Sequence, residues 1–281
     1  MADAHPGYFL APSSGALPPS ALPPGAPRTS RLPLFLVLLA ALVAVAVPTT
    51  MLAQRARAAE GLEVRTVEGP AAAAAGWGPT YVDAKGRPSR WDPCSPIGYV
   101  VQAGWIPDAG RRDLTEALRR LSLASGLSFV DEGDTEELPS QVRSSYQPAR
   151  YGERWAPLLI GWVPPGVTDV GVGGGVQGMS LSYAVPGRTG PSLVSGQVVL
   201  DAGNRLAAGF GPGTTDGEVL LHELAHALGL GHVLDPTQVM YPQTTSSESE
   251  FGAGDRAGLA ALGAAAGCHP APSPRNLRLS S

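Results

Sequence analysis

The stretch that decides the reading runs from Leu220 to Val233: LLHELAHALGLGHV. It holds three of the chain's five histidines, His222, His226 and His232, spaced four and then six residues apart. Residues four apart on a helix share a face, so His222 and His226 present two imidazoles side by side. Thr215 followed by Glu218 reads as a capping box that starts this helix. Val219, Leu220, Leu224, Ala227 and Leu228 supply its apolar residues, and Gly229 and Gly231 end it. An unbroken helix would carry His232 well along the axis from the other two. Gly229, free to take the left-handed conformation, turns the chain and brings His232 back.

Neutral imidazole is a good ligand for zinc, and i,i+4 spacing lets two nitrogens reach one ion. Three protein ligands leave a fourth position for water, the pattern of a catalytic site rather than a closed structural one. Glu223 lies about a hundred degrees around the helix from His222, so it stands near a metal-bound water rather than on the metal. Zinc lowers the pKa of its water towards ~7. Glu223 can then take a proton as general base and return it to a leaving amine as general acid. The implied reaction is hydrolysis of a peptide bond. The competing reading is a buried helix whose histidines are satisfied by core hydrogen bonds. HExxH alone arises by chance in roughly one chain per hundred, and the added glycine and third histidine make the pattern about a thousandfold rarer.

HELAHALGLGH resembles the HExxHxxGxxH signature of the metzincin metallopeptidases, and VMYP at Val239 to Pro242 resembles their Met-turn. DPTQVMYP is most similar to the matrixin branch. The resemblance implies His222, His226 and His232 as zinc ligands, Glu223 as the acid/base and Met240 as the Met-turn residue. It is sharp over residues 218–242, suggestive over 90–201, and silent on 1–76. Val233 stands where matrixins usually carry serine. No other histidine lies between Trp77 and His222, so one zinc is expected and the second, structural zinc of animal matrixins is not. No acidic cluster is strong enough to argue for calcium. Tyr241 directly follows Met240, whereas the zinc-binding tyrosine of some metzincins lies two residues after, so Tyr241 reads as structural.

The rest of the chain frames this site. Apolar residues make up 43%, enough for a core, and charged residues only 16%. A net charge of −4 gives no reason to expect nucleic acid as a partner. Residues 1–31 are rich in Pro, Ala, Ser and Gly and read as a disordered tail. Residues 32–52 are uncharged and apolar, about the ~20 residues a bilayer-crossing helix needs. Arg28 and Arg31 precede this span and Arg55 and Arg57 follow it. It reads as an uncleaved anchor, with a signal cleaved near Ala56–Ala58 as the alternative. Residues 53–76 read as a linker, 77–269 as the folded domain and 270–281 as a second disordered tail.

Within the domain, strands are expected at Ile97–Gln102, at Leu127–Val130 and Pro157–Val163 as buried strands, at Met179–Val185 as an edge, and at Ser195–Asp201. Helices are expected at Asp113–Ser125, stopped by Gly126, and at Gly254–Gly267. The order is that of an α+β domain. With the resemblance it implies a metzincin-like fold: a twisted, mostly parallel sheet with an antiparallel edge strand, an active-site helix and a C-terminal helix, preceded by one transmembrane helix. In that family the edge strand pairs with extended substrate, a role this places on Met179–Val185.

Three further signals complete the reading. GGGVQG at Gly173–Gly178 fits GxGxxG, but a strand rather than a helix follows it, so it reads as a loop and not a dinucleotide site. Cys94 and Cys268 are the two cysteines. Cys94 could hold a zinc latent, but the matrixin Arg-Cys-Gly motif is missing around it. The preferred alternative is a disulfide with Cys268, whose long loop corresponds to roughly 5 kcal/mol of chain entropy. His269 reads as a surface residue. The expected function is a zinc endopeptidase, monomeric, membrane-anchored, facing outside the cytoplasm (secreted if the leader is cleaved), and acting on peptides or proteins. Two other classes remain open: a catalytically silent zinc-containing adhesion module, and a surface protein whose Pro-rich tail is the functional part.

Overall fold

A computed structural model describes residues 65–66, 76–204, 206–243 and 250–275. The described elements belong to one compact unit, Ala59–Ser281. The expected N-terminal tail, the apolar span 32–52, most of the linker and residues 276–281 lie outside the described residues. Among the described residues, no helix is long and apolar enough to cross a membrane.

Two short strands, β1 (Arg65–Thr66) and β2 (Tyr81–Val82), form an antiparallel ribbon. The main sheet has five strands: β3 (Ile97–Gln102), β4 (Phe129–Thr135), β5 (Leu158–Val163), β6 (Gly178–Pro186) and β7 (Pro191–Asp201). Their order is β4-β3-β5-β7-β6. The first four are mutually parallel, and β6 runs antiparallel along β7 at one edge. The fold is thus α+β, with a mostly parallel sheet and an antiparallel edge strand. β5 (LLIGWV) is buried along its whole length, as a central parallel strand covered on both faces must be. β6, with a neighbour on one side only, alternates polar and apolar residues and is half-buried nearly throughout.

Helix α1 (Gly110–Ser125) buries Leu114, Ala117, Leu118 and Leu121 and stops at Gly126, whose φ of 70° is left-handed. It begins three residues before the expected Asp113. The extra turn carries Arg111 and Arg112, which add nothing to the apolar periodicity. A short α2 (Pro148–Tyr151) follows, then α3 (Asp216–Ala227) and α4 (Ala253–Leu262), with a 3-10 turn at Ala264–Ala266. α1, α3 and α4 share one core with Ile97, Tyr99 and Val101 of β3, Ile160 and Trp162 of β5, and Val198 and Leu200 of β7. The other face of the sheet carries a smaller cluster, Val163, Val170, Val172 and Val199, with Met179 packed on it.

The expectation of a buried strand at Leu127–Val130 is corrected. The strand begins at Phe129 and forms the outer edge of the sheet, exposed from Val130 to Asp134. Its sequence, FVDEGDT, carries the charges that keep a free edge from pairing with another chain. Leu127, just before it, enters the core, and half-buried Phe129 packs against it.

A buried ion pair closes the sheet face opposite the helices. Arg143 and Glu137 are 6% and 7% exposed. All five guanidinium N–H groups are used: two on the Glu137 carboxylate, one on Ser195 Oγ, and one each on the carbonyls of Gly196 and Pro157. Burial alone would raise the Glu137 carboxyl, but hydrogen bonds from Arg143, Tyr151 and Gln147 outweigh it and hold its pKa below the ordinary value. The pair pins the long excursion between β4 and β5 to the back of β7.

Cys94 and Cys268 are joined by a disulfide, their Cα atoms 5.3 Å apart across a separation of 174 residues. His269 is not a surface residue as expected from the sequence: it is 2% exposed. Its Nδ1 meets Thr189 Oγ1 at 2.7 Å, and its Nε2 meets Ser192 Oγ at 3.0 Å and Pro191 O at 3.1 Å. The disulfide draws it under the β6–β7 hairpin. The chain stays packed beyond it, with the Trp155 indole donating to Pro272 O at 2.9 Å and Arg275 paired with Glu153.

Candidate metal centre

Helix α3 begins where Thr215 Oγ1 accepts the Glu218 N–H at 3.2 Å. It is anchored by Leu220, Leu221, Leu224, Ala225 and Ala227, all at 0% exposure. That burial is what holds the two histidine side chains still. His222 and His226 face each other with Nε2 atoms 3.0 Å apart, and His232 Nε2 lies 3.1 Å from His226 Nε2.

The opposite ring nitrogens fix the tautomers. His222 Nδ1 lies 2.7 Å from Val239 O and His226 Nδ1 2.7 Å from Leu230 O. A carbonyl oxygen can only accept, so both Nδ1 atoms carry the proton and both Nε2 lone pairs point inward. Burial lowers the pKa of His222 to about 4 and that of His226 to about 3. Both rings are therefore neutral at neutral pH, the form that ligates a metal. Converging lone pairs repel unless a cation sits between them. A tetrahedral zinc with Zn–N of ~2.0–2.1 Å sets its nitrogen ligands about 3.4 Å apart. The three rings match that spacing after a slight opening, so the donor set fits zinc.

The return of His232 depends on the turn after α3. Gly229 has φ of 96°. A Cβ on it would lie 2.8 Å from Ser89 O, so both conformation and space demand glycine. Met240 is fully buried, and its carbonyl accepts the N–H of Val233, the residue after His232, at 2.9 Å. The chain turns here, with the Tyr241 N–H donating to Gln238 O at 3.1 Å.

Asp255 supports this turn, a residue the sequence reading missed. Its carboxylate accepts the Val239 N–H at 3.0 Å and the Gly252 N–H at 2.9 Å. Burial nevertheless raises its pKa, outweighing these hydrogen bonds. Residue Val239 thus stands between Asp255, which accepts its N–H, and His222, which donates to its carbonyl. The available signal was an acid three residues after Gly252, where a helix-starting acid accepts backbone donors.

Glu223 is 7% exposed. Burial raises its carboxyl to about 8. It lines a cavity of about 320 Å³ together with His222, Val219, Gly178, Pro242 and Gln243. A Cβ on Gly178 would lie 2.6 Å from Glu223 Cγ, so the start of β6 closes directly on the carboxyl. The loop before β6 is the GGGVQG segment, with Gly173, Gly174 and Gly175 all at positive φ. It leads into a strand, as expected.

Three histidines on HExxHxxGxxH, a turn at Met240 and an antiparallel edge strand beside the glutamate resemble the layout of a metzincin. The comparisons with known proteins narrow this class. Residues 177–262 match the family model Peptidase_M10, matrixin. The chain is 32% identical over 157 residues to matrilysin from Felis catus, an alignment that covers 52% of this chain and 59% of that relative. Over residues 177–262 the chain is similar to the matrixins, and its alignment spans less than two thirds of that relative's length.

Proposed function

We propose that the chain is a zinc-dependent endopeptidase. The observation that carries this reading is the convergence of three Nε2 atoms beside the buried Glu223 carboxyl at a cavity. His222, His226 and His232 would hold the ion, with the Met240 turn as their floor. Zinc bound there would supply Lewis-acid polarisation of the scissile carbonyl and make the attacking water more acidic. Glu223 takes the proton from that water and passes it to the leaving amine. β6 offers its free edge to an extended peptide, which would add as one more strand. The side chain next to the scissile bond would enter the cavity between Val219 and Pro242.

The apolar span 32–52 would anchor the chain in a membrane with the catalytic domain outside the cytoplasm. The Cys94–Cys268 bridge is consistent with that side, since disulfides persist in oxidising compartments. Cell fractionation tests the anchor: the full chain should partition with membranes and a chain lacking residues 1–58 should not. Equal partitioning of the two would remove the anchor from this reading.

The enzymatic reading is tested by zinc analysis coupled to cleavage of an unbiased peptide library, with and without a chelator. Glu223→Gln should lower turnover by ~10²–10⁴-fold while zinc content stays at one per chain. A Glu223→Gln protein of unchanged activity would refute the assigned role. A wild-type protein that binds zinc and cleaves nothing would favour the silent adhesion module.

A further inference from the structure

The segment ahead of β3 wraps the end of the histidine-bearing helix. Gly231 donates its N–H to Gly78 O at 2.7 Å, and Thr80 donates its N–H to Gly229 O at 2.7 Å. Ser89 O occupies the space where a Gly229 Cβ would be. Trp91, 8% exposed, donates its indole N–H to Ala227 O at 2.9 Å. Ala227 immediately follows His226 and is the last residue of α3. Its carbonyl is one of the four that a helix end leaves without an intrahelical donor, and Trp91 supplies one from outside.

The strap is itself held on both sides of Trp91. The Arg90 guanidinium donates to Gly267 O at 2.8 Å and Ala266 O at 3.3 Å. The Asp92 carboxylate accepts the N–H groups of Cys94 at 3.1 Å and His269 at 2.8 Å. Cys94 is then bonded to Cys268. An ion pair, a shared carboxylate or a lone tryptophan would each be ordinary packing. Here every anchor lies within four residues of Trp91, whose indole shares the Ala227 carbonyl with the Ser182 hydroxyl, 3.3 Å from it.

We propose that Trp91 is a positioning residue of the metal centre, and that the Cys94–Cys268 bridge rivets the strap that carries it. The inference rests on reading the three histidines as a zinc site. The coupling has a direct physical route. His226 is oriented by Leu230 O, and His232 follows one residue after Gly231. Both lie in the turn that the strap holds at Ala227, Gly229 and Gly231. Metal–ligand distances tolerate only ~0.2 Å, so a turn free to shift would misplace two of three ligands. The indole N–H makes the shorter of the two side-chain hydrogen bonds to the Ala227 carbonyl.

The test measures the zinc dissociation constant by chelator competition, and the visible spectrum of the cobalt-substituted protein, on the full chain. Trp91→Phe keeps an aromatic ring and deletes the N–H. Thr80→Pro deletes a different strap donor, the one to Gly229. A Cys94→Ala, Cys268→Ala double variant removes the rivet, and His232→Ala marks the loss of a true ligand. Trp91→Phe should bind zinc on the order of 10-fold more weakly, as outer-shell partners do, with an altered cobalt spectrum. Thr80→Pro and the cysteine variant should move in the same direction. Wild-type affinity and spectrum in folded Trp91→Phe and Thr80→Pro, judged by near-ultraviolet circular dichroism, would overturn the proposal. If Trp91→Phe does not fold, Thr80→Pro decides alone. A wild-type protein that takes up no zinc would instead overturn the metal reading beneath it.

Discussion

Single residues in this protein are constrained by both conformation and contact. Gly229 is the sharpest case, because its left-handed φ and the 2.8 Å approach to Ser89 O coincide. Gly229→Ala should cost about 1–2 kcal/mol from the backbone alone, and more from the displaced Ser89. Urea unfolding should show this loss, and zinc titration a weaker affinity, since the same turn returns His232. Asp216 is constrained electrostatically. Burial, with Asp113 nearby, raises its carboxyl to about 6 from an ordinary 3.8. Between those values the folded chain holds a proton that the unfolded chain releases. Stability from this group is therefore fully present below pH 3.8 and is lost as pH rises through about 6. Asp216→Asn removes that dependence. Its melting temperature relative to wild type should rise between pH 4 and pH 7; a constant difference across the range would contradict the assignment.

At the scale of elements, the helices and central strands follow from short-range patterns. α3 was readable from Thr215, Glu218 and the run of leucines, and its cap is the one expected. Thr215→Ala should therefore cost ~0.5–2 kcal/mol, seen as a lower midpoint in chemical denaturation. β5 and β3 were readable as apolar runs. Two elements were misjudged for a common reason. The first turn of α1, with Arg111 and Arg112, and β4 beyond Val130 are polar, so apolar periodicity does not reveal their extent. The apolar start of β4 pointed to burial, and its position at the edge of the sheet decided otherwise. The substrate role proposed for β6 belongs to this scale too. Proline substitutions within Met179–Val185 should lower turnover on peptides, because they deform the edge that closes on Glu223.

Across the whole molecule, long-range polar links hold the site in its frame. The Arg143–Glu137 pair satisfies every guanidinium donor while nearly fully buried. Arg143→Met leaves the Glu137 carboxylate buried without its partner, which should destabilise the fold by about 3–5 kcal/mol. Adding Glu137→Leu should recover most of that loss in thermal unfolding, because the uncompensated charge is then gone. One helix and one turn bring the three histidines together, so the sequence shows them as a set, while Trp91 and Asp255 reach that helix and the Val239 turn from distant parts of the chain.

The sequence by itself determined the grouping of His222, His226 and His232, the helix that carries two of them and the apolar runs of β3 and β5, whereas the parallel sheet with its antiparallel edge was implied by the resemblance to the metzincins. Spacing of four residues on a helix, a glycine break and apolar runs act over a few residues, and their geometry is written locally. Only the tertiary structure decided that Asp255 braces the turn under His222, that Trp91 caps the end of α3, and that His269 is buried. It also decided that Glu137 meets Arg143 behind the sheet. Trp91 lies 136 residues from Ala227, and no local pattern relates the two. Such contacts exist because a folded core brings distant backbone polar groups into places where water cannot satisfy them. The side chains that then satisfy those groups are fixed by the packing, and no short stretch of sequence specifies which ones they are.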